Sequence, residues 1–507
     1  MLYNEYMMRP FKVEIWKYVI AFLVPVIFVM IMNRSLDNDS WGVLAEGRYI
    51  LENGIYHEDV LSMHEGLHEV VQNYAFAVPF YLIHLTFGAA GIYVAMLILF
   101  IVMMYLLYKT CMLISKRNVN LSLILTAVTG VALGFGYVVT RAQMIDYVVF
   151  IALIYVMELY IKTDKVKYLW WIPMFSLVLI NFHASVWWII FAIMATYIID
   201  SIKGPRFLHL QGYRTKPLLL VALIAIGVGF LNPYGVEMMI SIFGSYGGLA
   251  RLNLVNELMA LNPMNGNNLV FYLMIVIVLT LYIYGRSKNV RVRYLLMFFG
   301  FLMMSLCSIK GLSELVLTMF FPLGLLYHDW KMPKLLDKDK IGDVKISEAV
   351  LRCSGIVVLC VAISLAVCVP GQVENRPNIS LEQALNTIDN EIGNRNKEEL
   401  KVYAGYDTGG YVEYRGYKAY LDPRGAEFLE SVNKKEGVLE EWVDVRNRKI
   451  AVNDFLTKRE FDYLVIGRDE EALYDLNDER YEMIYNDGDS DDDEGTIRVY
   501  RNRHSSK

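Results

Sequence analysis

Two aspartates separated by one residue, Asp37 and Asp39, follow the first apolar segment of the chain. A carboxylate there can act as a general base toward a hydroxyl group, and a D-x-D pair can also hold a divalent cation such as Mg²⁺ or Mn²⁺. Asp39 could also be the N-cap of the helix that follows. We take Asp39 as the candidate base and Asp37 as a second carboxylate, and the metal stays open.

A second motif lies in the same region. The residues from His64 to His68 satisfy H-E-x-x-H, the helical motif in which two histidines bind zinc and the glutamate acts as a base. Gly66 weakens such a helix by about 1 kcal/mol relative to alanine. We keep a membrane zinc metalloprotease as an alternative and otherwise count His64 and His68 among the candidate substrate-binding residues.

The composition of the chain indicates which kinds of domain carry these residues. The chain has 507 residues, 55% of them hydrophobic and only 20% charged, a charged share below that of soluble domains. Residues 371–507 hold 20 Lys or Arg and 31 Asp or Glu, a net charge of −11, which leaves +6 for residues 1–370. The sequence therefore predicts an all-α multi-pass membrane domain over 1–370 and a soluble domain over 371–507.

Apolar runs close to the length that a bilayer requires predict about eleven transmembrane helices. They lie at 16–32, 89–108, 119–140, 144–161, 168–182, 184–200, 217–231, 268–285, 294–308, 313–328 and 350–370.

The run 74–87 is short and contains Pro79 and His84. If this run does not cross the membrane, the predicted cytoplasmic loops hold 22 Lys or Arg and the opposite loops hold five. This agrees with the positive-inside rule, by which basic residues are enriched in cytoplasmic loops. We therefore predict an interfacial helix at 74–87 within a first outer loop, 33–88. The N-terminus is then cytoplasmic and the tail extracytoplasmic.

This topology places many polar residues at the outer ends of the spans. Arg141 and Lys310 are suited to bind a phosphate, with interfacial snorkelling as the alternative. Asn181 and His183 suit hydrogen bonds to a polar substrate or the closing of a helical hairpin. With the two aspartates and two histidines, the predicted substrate-binding set also includes Gln72, Gln143, Asn232 and Glu257.

The tail alternates β-like and helical runs, which predicts a small α/β domain. The predicted strands cover Lys401–Tyr406, Lys418–Leu421, Tyr463–Ile466 and Thr496–Tyr500, and the predicted helices cover Leu381–Ile392 and Glu470–Leu476.

The segment from Asp39 to Gly54, with Gly47 and Leu51 at its small and apolar positions, resembles the C-type superfamily of membrane glycosyltransferases. That superfamily includes protein O-mannosyltransferases and aminoarabinose transferases, in which a catalytic aspartate follows the first span and a juxtamembrane helix ends in glycine fifteen residues on. The chain departs from the mannosyltransferase pattern at Ser40, where that pattern has an acidic residue.

Other motifs are similar to uncharacterised bacterial relatives of that superfamily. Asn38 replaces the proline of their Asp-Pro-Asp-x-Trp start. The matching segments are Asp37-Asn38-Asp39-Ser40-Trp41, Arg141-Ala142-Gln143, Asn181-Phe182-His183, Asn232-Pro233-Tyr234-Gly235, Gly409-Gly410-Tyr411 and Asp422-Pro423-Arg424.

The resemblance implies a polyprenyl-phosphate-linked sugar donor in the bacterial plasma membrane, and an envelope glycan, lipid or protein as acceptor. Membrane lipids are then partners and nucleic acid is not. A non-enzymatic alternative is a transporter or polysaccharide-export component. Such proteins tend to carry internal repeats and charges at mid-span, and we find no convincing repeat here.

Overall fold

The fold was analysed in a computed structural model of the full chain. The residues that the structure describes are 5–32, 36–204, 210–252, 260, 272, 274–279, 282–283, 290–329, 341–377, 379–468, 470–474, 476–487 and 496–504.

Residues 5–368 are helical throughout most of their described length. The α-helices of this part are α1 (Glu5–Met32), α2 (Asn38–Asn53), α3 (Tyr74–Ile114), α4 (Val119–Gly134), α5 (Gln143–Thr163), α6 (Trp171–Phe182), α7 (Ile189–Ser201), α8 (Lys216–Val228), α9 (Val236–Leu252), α10 (Val292–Cys307), α11 (Leu312–Thr318), α12 (Phe321–Leu326) and α13 (Ile341–Cys368).

Six helical segments of the described chain are long and apolar enough to cross a membrane. They are Glu14–Ile31, Tyr74–Ile114, Gln143–Thr163, Ala184–Ser201, Ile309–Leu326 and Ala349–Gln372. Four further predicted spans coincide with shorter apolar helices, at Val119–Gly134, Val166–Phe182, Lys216–Val228 and Val292–Cys307. Half of the remaining predicted span, 268–285, lies outside the described residues. The structure thus supports a helical membrane protein without establishing the number eleven.

Helix α3 contains the predicted interfacial segment 74–87 and the span that follows. The two are separated at Gly88, whose φ of +65° and ψ of −165° interrupt the helix. At the start of the second helical part, the amide of Ala89 donates a hydrogen bond to the side-chain oxygen of Asn375 at 2.6 Å. The sequence predicted two separate helices here, and the backbone has that break.

Helix α2 begins earlier than its apolar pattern indicated. Asp37, not Asp39, is its N-cap, and the Asp37 carboxylate accepts a hydrogen bond from the amide of Ser40 at 2.9 Å. The helix ends where expected, at Gly54, whose φ of +90° favours glycine. Asp39 therefore lies within the first turn, and its carboxylate is not required as a cap.

Residues 379–502 form the α/β domain. Its α-helices are α14 (Ile379–Ile392), α15 (Gly409–Tyr414), α16 (Glu430–Asn433), α17 (Val438–Arg446), α18 (Val452–Arg459) and α19 (Glu471–Tyr474). Its strands are β1 (Lys401–Ala404), β2 (Lys418–Ala419), β3 (Tyr463–Gly467), β4 (Tyr481–Asn486) and β5 (Ile497–Asn502), in the order β2-β1-β3-β5-β4.

The sheet is mixed. β1 pairs in parallel with β2 and β3, and β5 pairs antiparallel with β3 and β4. The central strand β3 is buried along its whole length, as expected for an apolar strand covered on both faces. The strand at 481–486 was not predicted; in this edge strand only Tyr481 is buried, so it lacks the apolar pattern of a core strand.

The α/β domain packs directly on α2 and on the start of α3 through one hydrophobic core. Trp41, fully buried, lies at its centre with its ring 4.9 Å from the rings of Tyr411 and Tyr414. A β-carbon at Gly410 would lie 2.6 Å from the carbonyl oxygen of Asn38. This close approach explains the glycine of the Gly-Gly-Tyr motif.

Helix α2 also crosses α3 at very short range. A β-carbon at Gly47 would lie 2.2 Å from the carbonyl oxygen of Ala77, so we expect Gly47→Ala to destabilise the protein by about 1–3 kcal/mol. Gly300→Ala is the matched control, because no atom lies within 4 Å of its β-carbon position. It should be neutral or stabilising by up to about 1 kcal/mol. Thermal unfolding of both variants in detergent tests this, and equal melting temperatures would contradict the packing argument.

Candidate functional site

A cavity of about 550 Å³ lies between the helical part and the α/β domain. It brings together seven residues of the predicted site, namely Asp39, His68, Gln72, Arg141, Gln143, His183 and Lys310. They come from segments separated by up to 271 positions, so the fold assembles them.

One end of the cavity is built around Arg141, in the connection between α4 and α5. Its Nε donates to Oδ2 of Asp37 and its Nη1 lies against Oδ2 of Asp39, both at 2.6 Å. The hydroxyl of Ser40 donates to the other oxygen of Asp37 at 2.6 Å and lies 2.9 Å from the hydroxyl of Thr140. Ser40, where the mannosyltransferase pattern has an acid, thus fixes α2 to the Arg141 connection.

This arrangement bears on the predicted cation. The guanidinium of Arg141 bridges the two carboxylates, and no set of three or more His, Cys, Asp or Glu side chains in the described chain is placed to hold a metal ion. Divalent cations require several oxygen ligands. As placed, the carboxylates of Asp37 and Asp39 both pair with Arg141.

His183 and Lys310 approach the same end of the cavity from other connections. Nδ1 of His183 lies 2.5 Å from Oδ2 of Asp146, on α5. Lys310 lies in the turn Ile309–Gly311, just before α11. The amide of Gln143 donates to the hydroxyl of Tyr147 at 2.5 Å. Lys310, His183 and the amide of Gln143 therefore line the same cavity as the Asp39–Arg141 pair.

Two other predicted residues, Asn181 and Asn232, form hydrogen bonds with backbone groups. Asn181 accepts a hydrogen bond from the hydroxyl of Tyr74 and donates to the carbonyl of Leu231 at 3.2 Å, so it closes a helical connection. Asn232 caps its own turn, accepting from the amide of Tyr234 at 2.9 Å. Neither lines the cavity. Glu257 lies outside the described residues.

The zinc-protease alternative is not supported by the backbone of residues 64–68. They are not helical, and Gly66 has a φ of +67°. The ring of His64 is buried against the carbonyl oxygen of Tyr420, with its Nε2 at 2.8 Å. His68 instead lies in the cavity wall, 4.0 Å from a carboxylate oxygen of Glu237. The two histidines therefore face different surroundings and share no ligand position.

The opposite end of the cavity contains acidic residues that the sequence analysis did not select. Arg424, only 8% exposed in its side chain, lies among them. Its guanidinium is within 3.3 Å of carboxylate oxygens of Asp59, Glu69, Glu413, Asp422 and Glu427. In the sequence, Arg424 stood out only as part of the Asp-Pro-Arg segment that is similar to the bacterial relatives.

The Arg424 cluster joins two distant segments, the loop 54–73 and the α/β domain. Burial raises the pKa of Glu69, Glu413 and Glu427, because one guanidinium cannot offset the desolvation of so many carboxylates. Arg424 and hydrogen bonds from Ser62 and Leu61 outweigh burial at Asp59 and lower its pKa. Burial therefore outweighs Arg424 at these three glutamates and raises the pKa of Glu427 to about 8.

The chain was compared with known proteins. No protein-family model and no curated protein matches the sequence. Among solved structures it is similar to the apo oligosaccharyltransferase of Archaeoglobus fulgidus, at a TM-score of 0.54 and 11% identity over 89% of this chain and 69% of that one. The same enzyme tethered to an acceptor peptide with the NVT sequon gives 0.50 and 10% over the same shares. The chain has the fold of an oligosaccharyltransferase. At this identity the likeness establishes architecture alone.

The first prediction from the site concerns the buried arginine. Arg424→Met leaves five carboxylates without their cation, and we expect a loss of about 3–5 kcal/mol in unfolding free energy. Arg446→Met is the control. Arg446 is exposed on α17, and its stacking on Trp442 is worth about 1 kcal/mol or less. Thermal unfolding in detergent, with limited proteolysis of the loop 54–73, measures both, and comparable losses would contradict the assigned role.

The second prediction concerns pH. Carboxyl groups with raised pKa values stay protonated in the folded protein at pH values where the unfolded chain has lost those protons, so stability falls as pH rises. We expect the melting temperature to decrease from pH 5 to pH 8, because burial raises the pKa of Glu46 to about 7 and that of Glu427 to about 8. Glu427→Gln should reduce this dependence. A melting temperature that rises over this range in the wild type would contradict it.

Proposed function

We propose that the protein is a glycosyltransferase that moves a sugar from a polyprenyl-phosphate-linked donor to a hydroxyl of an envelope acceptor. The observation that carries the proposal is the single cavity in which Asp39, Arg141, His183 and Lys310 meet, on the fold of an oligosaccharyltransferase. A carboxylate next to cationic groups meets the two needs of this reaction, proton removal and stabilisation of a phosphate leaving group.

In the proposed reaction, the acceptor oxygen attacks the anomeric carbon while the bond from that carbon to the phosphate oxygen breaks. The acceptor proton passes to the carboxylate of Asp39, and the electron pair of the broken bond leaves with the polyprenyl phosphate. Lys310 and Arg141 offset the charge that develops on that phosphate. Arg141, bound to both aspartates at 2.6 Å, also fixes the orientation of the base.

The membrane arrangement follows from the same proposal. The segment 74–87 exposes the apolar side chains of Leu82, Leu85 and Phe87, which suits a helix lying in the membrane interface. The cavity and the α/β domain would then lie on the outer face of a bacterial plasma membrane, where the phosphate of a lipid-linked donor is accessible. The N-terminus would be cytoplasmic.

The test uses membranes containing the full-length protein and a panel of radiolabelled polyprenyl-phosphate sugars. Loss of a general base typically lowers the rate by 10²–10⁴-fold, so we expect Asp39→Asn to reduce transfer by about that factor. Asp164→Asn makes the same chemical change at an exposed aspartate paired with Arg214, away from the cavity, and should retain wild-type transfer.

Equal transfer by wild type and Asp39→Asn would remove Asp39 from the mechanism. If the wild type turned over no donor of the panel, the glycosyltransferase proposal itself would fail.

A further inference from the structure

Helix α2 carries a second carboxylate toward the cavity. Asp39, Gly42, Val43 and Glu46 all line it, and their spacing of three, four and seven residues places them on one face of the helix. At a rise of 1.5 Å per residue, Glu46 is about 10 Å from Asp39 along the helix axis. Only Gly42 and Val43 lie between them on this face, so the surface between the two acids is apolar.

Glu46 differs from the acidic residues around it. It is 4% exposed, yet no hydrogen bond or ion pair joins its carboxyl group to any residue that the structure describes. Asp59, Glu69, Glu413, Asp422 and Glu427, in contrast, all lie within ion-pair distance of Arg424. A buried carboxyl group without a partner is costly, so a partner outside the chain is the simplest compensation.

The chemistry of this position limits what that partner is. Burial raises the pKa of Glu46 to about 7, Asp422 and Asp59 add to the effect, and Arg424 opposes it. Near that pH the group is protonated for part of the time, and a protonated carboxyl group both donates and accepts hydrogen bonds. A hydroxyl group has the same two capacities. A cationic ligand fits less well, because Arg424 already supplies a cation here.

The loop 54–73 and the α/β domain enclose this end of the cavity. Glu69 comes from the loop, and Arg424 and Glu427 come from the domain. A ligand that reaches Glu46 while its reacting hydroxyl lies at Asp39 must therefore extend along the apolar strip of α2 beneath the domain. An amino-acid side chain or a single sugar ring is too short for both contacts.

We propose that Glu46 binds a distal hydroxyl of a glycan acceptor, so that the enzyme selects an acceptor of at least two sugar units. This inference rests on the glycosyltransferase function proposed above and assigns the acceptor class within it. Glu46 is then a specificity-determining residue, and Asp39 remains the base.

The experiment compares two acceptors that differ by one sugar, octyl glucoside and octyl maltoside, together with a hydroxyl-containing peptide. The donor is the polyprenyl-phosphate sugar that the wild type turns over in the panel. We expect Glu46→Ala to raise KM for the disaccharide by on the order of tenfold, the effect of losing one buried hydrogen bond. KM for the monosaccharide should be unchanged. Glu46→Gln should restore most of the disaccharide KM, because an amide also donates and accepts.

Glu52→Ala is the matched control, since Glu52 is exposed on the same helix and does not line the cavity. The melting temperatures of all variants separate a binding defect from a folding defect. The inference would be overturned if Glu46→Ala changed KM for both sugars equally or for neither, or if the wild type used only the peptide. Absence of transfer to every acceptor would instead count against the proposed function.

Discussion

The burial of one guanidinium among carboxylates determines how the two parts of this molecule fit together. Arg424 comes from the α/β domain, while Asp59 and Glu69 come from the loop 54–73, more than 350 residues earlier. Removing these charges from water costs several kcal/mol for each ion, and only close mutual pairing offsets it. The loop is therefore held against the domain, and the cavity between them has a defined wall.

Helix α2 is the element that transfers this constraint to the reacting end of the cavity. Its start is fixed by the Asp37 cap and by the hydrogen bonds of Ser40 with the connection that carries Arg141. Its middle is fixed by the contact of Gly47 with Ala77. A short helix held at both points has little freedom to shift or rotate. Asp39 and Glu46, two turns apart, thus keep a constant separation, as a binding site requires.

Part of this arrangement could be predicted from sequence because the signals are local. The spacing from Asp39 to Gly54 indicated a short helix with a defined end, and the short run 74–87, with Pro79 and His84, indicated a helix separate from the span that follows. Even here, two aspartates one residue apart are equally suited as caps. Only the fold shows that Asp37 is the cap, because Arg141 and Ser40 fix its position.

The rest depends on contacts that no local pattern records. In sequence, Glu46 is an ordinary glutamate on an amphipathic helix. In the fold it is buried, on the face of α2 where Pro423 of the α/β domain approaches Gly42. Likewise, Asn181 and His183 belong to one motif, and the sequence gives both the same candidate role in substrate binding. In the fold, Asn181 closes a helical connection, whereas His183 pairs with Asp146 at the cavity.

The two ends of the cavity differ in how strongly their charged groups are buried, and they are separated along α2. At one end Arg141 keeps two aspartates paired in a partly exposed position, so a base and cationic groups coexist without a large desolvation cost. At the other end, burial raises the pKa of Glu69 and Glu427, although Arg424 opposes it. Any further cation brought next to these acids would lower their pKa in the same direction as Arg424 does. The apolar strip of Gly42 and Val43 separates the partly exposed end at Arg141 from the buried end at Arg424.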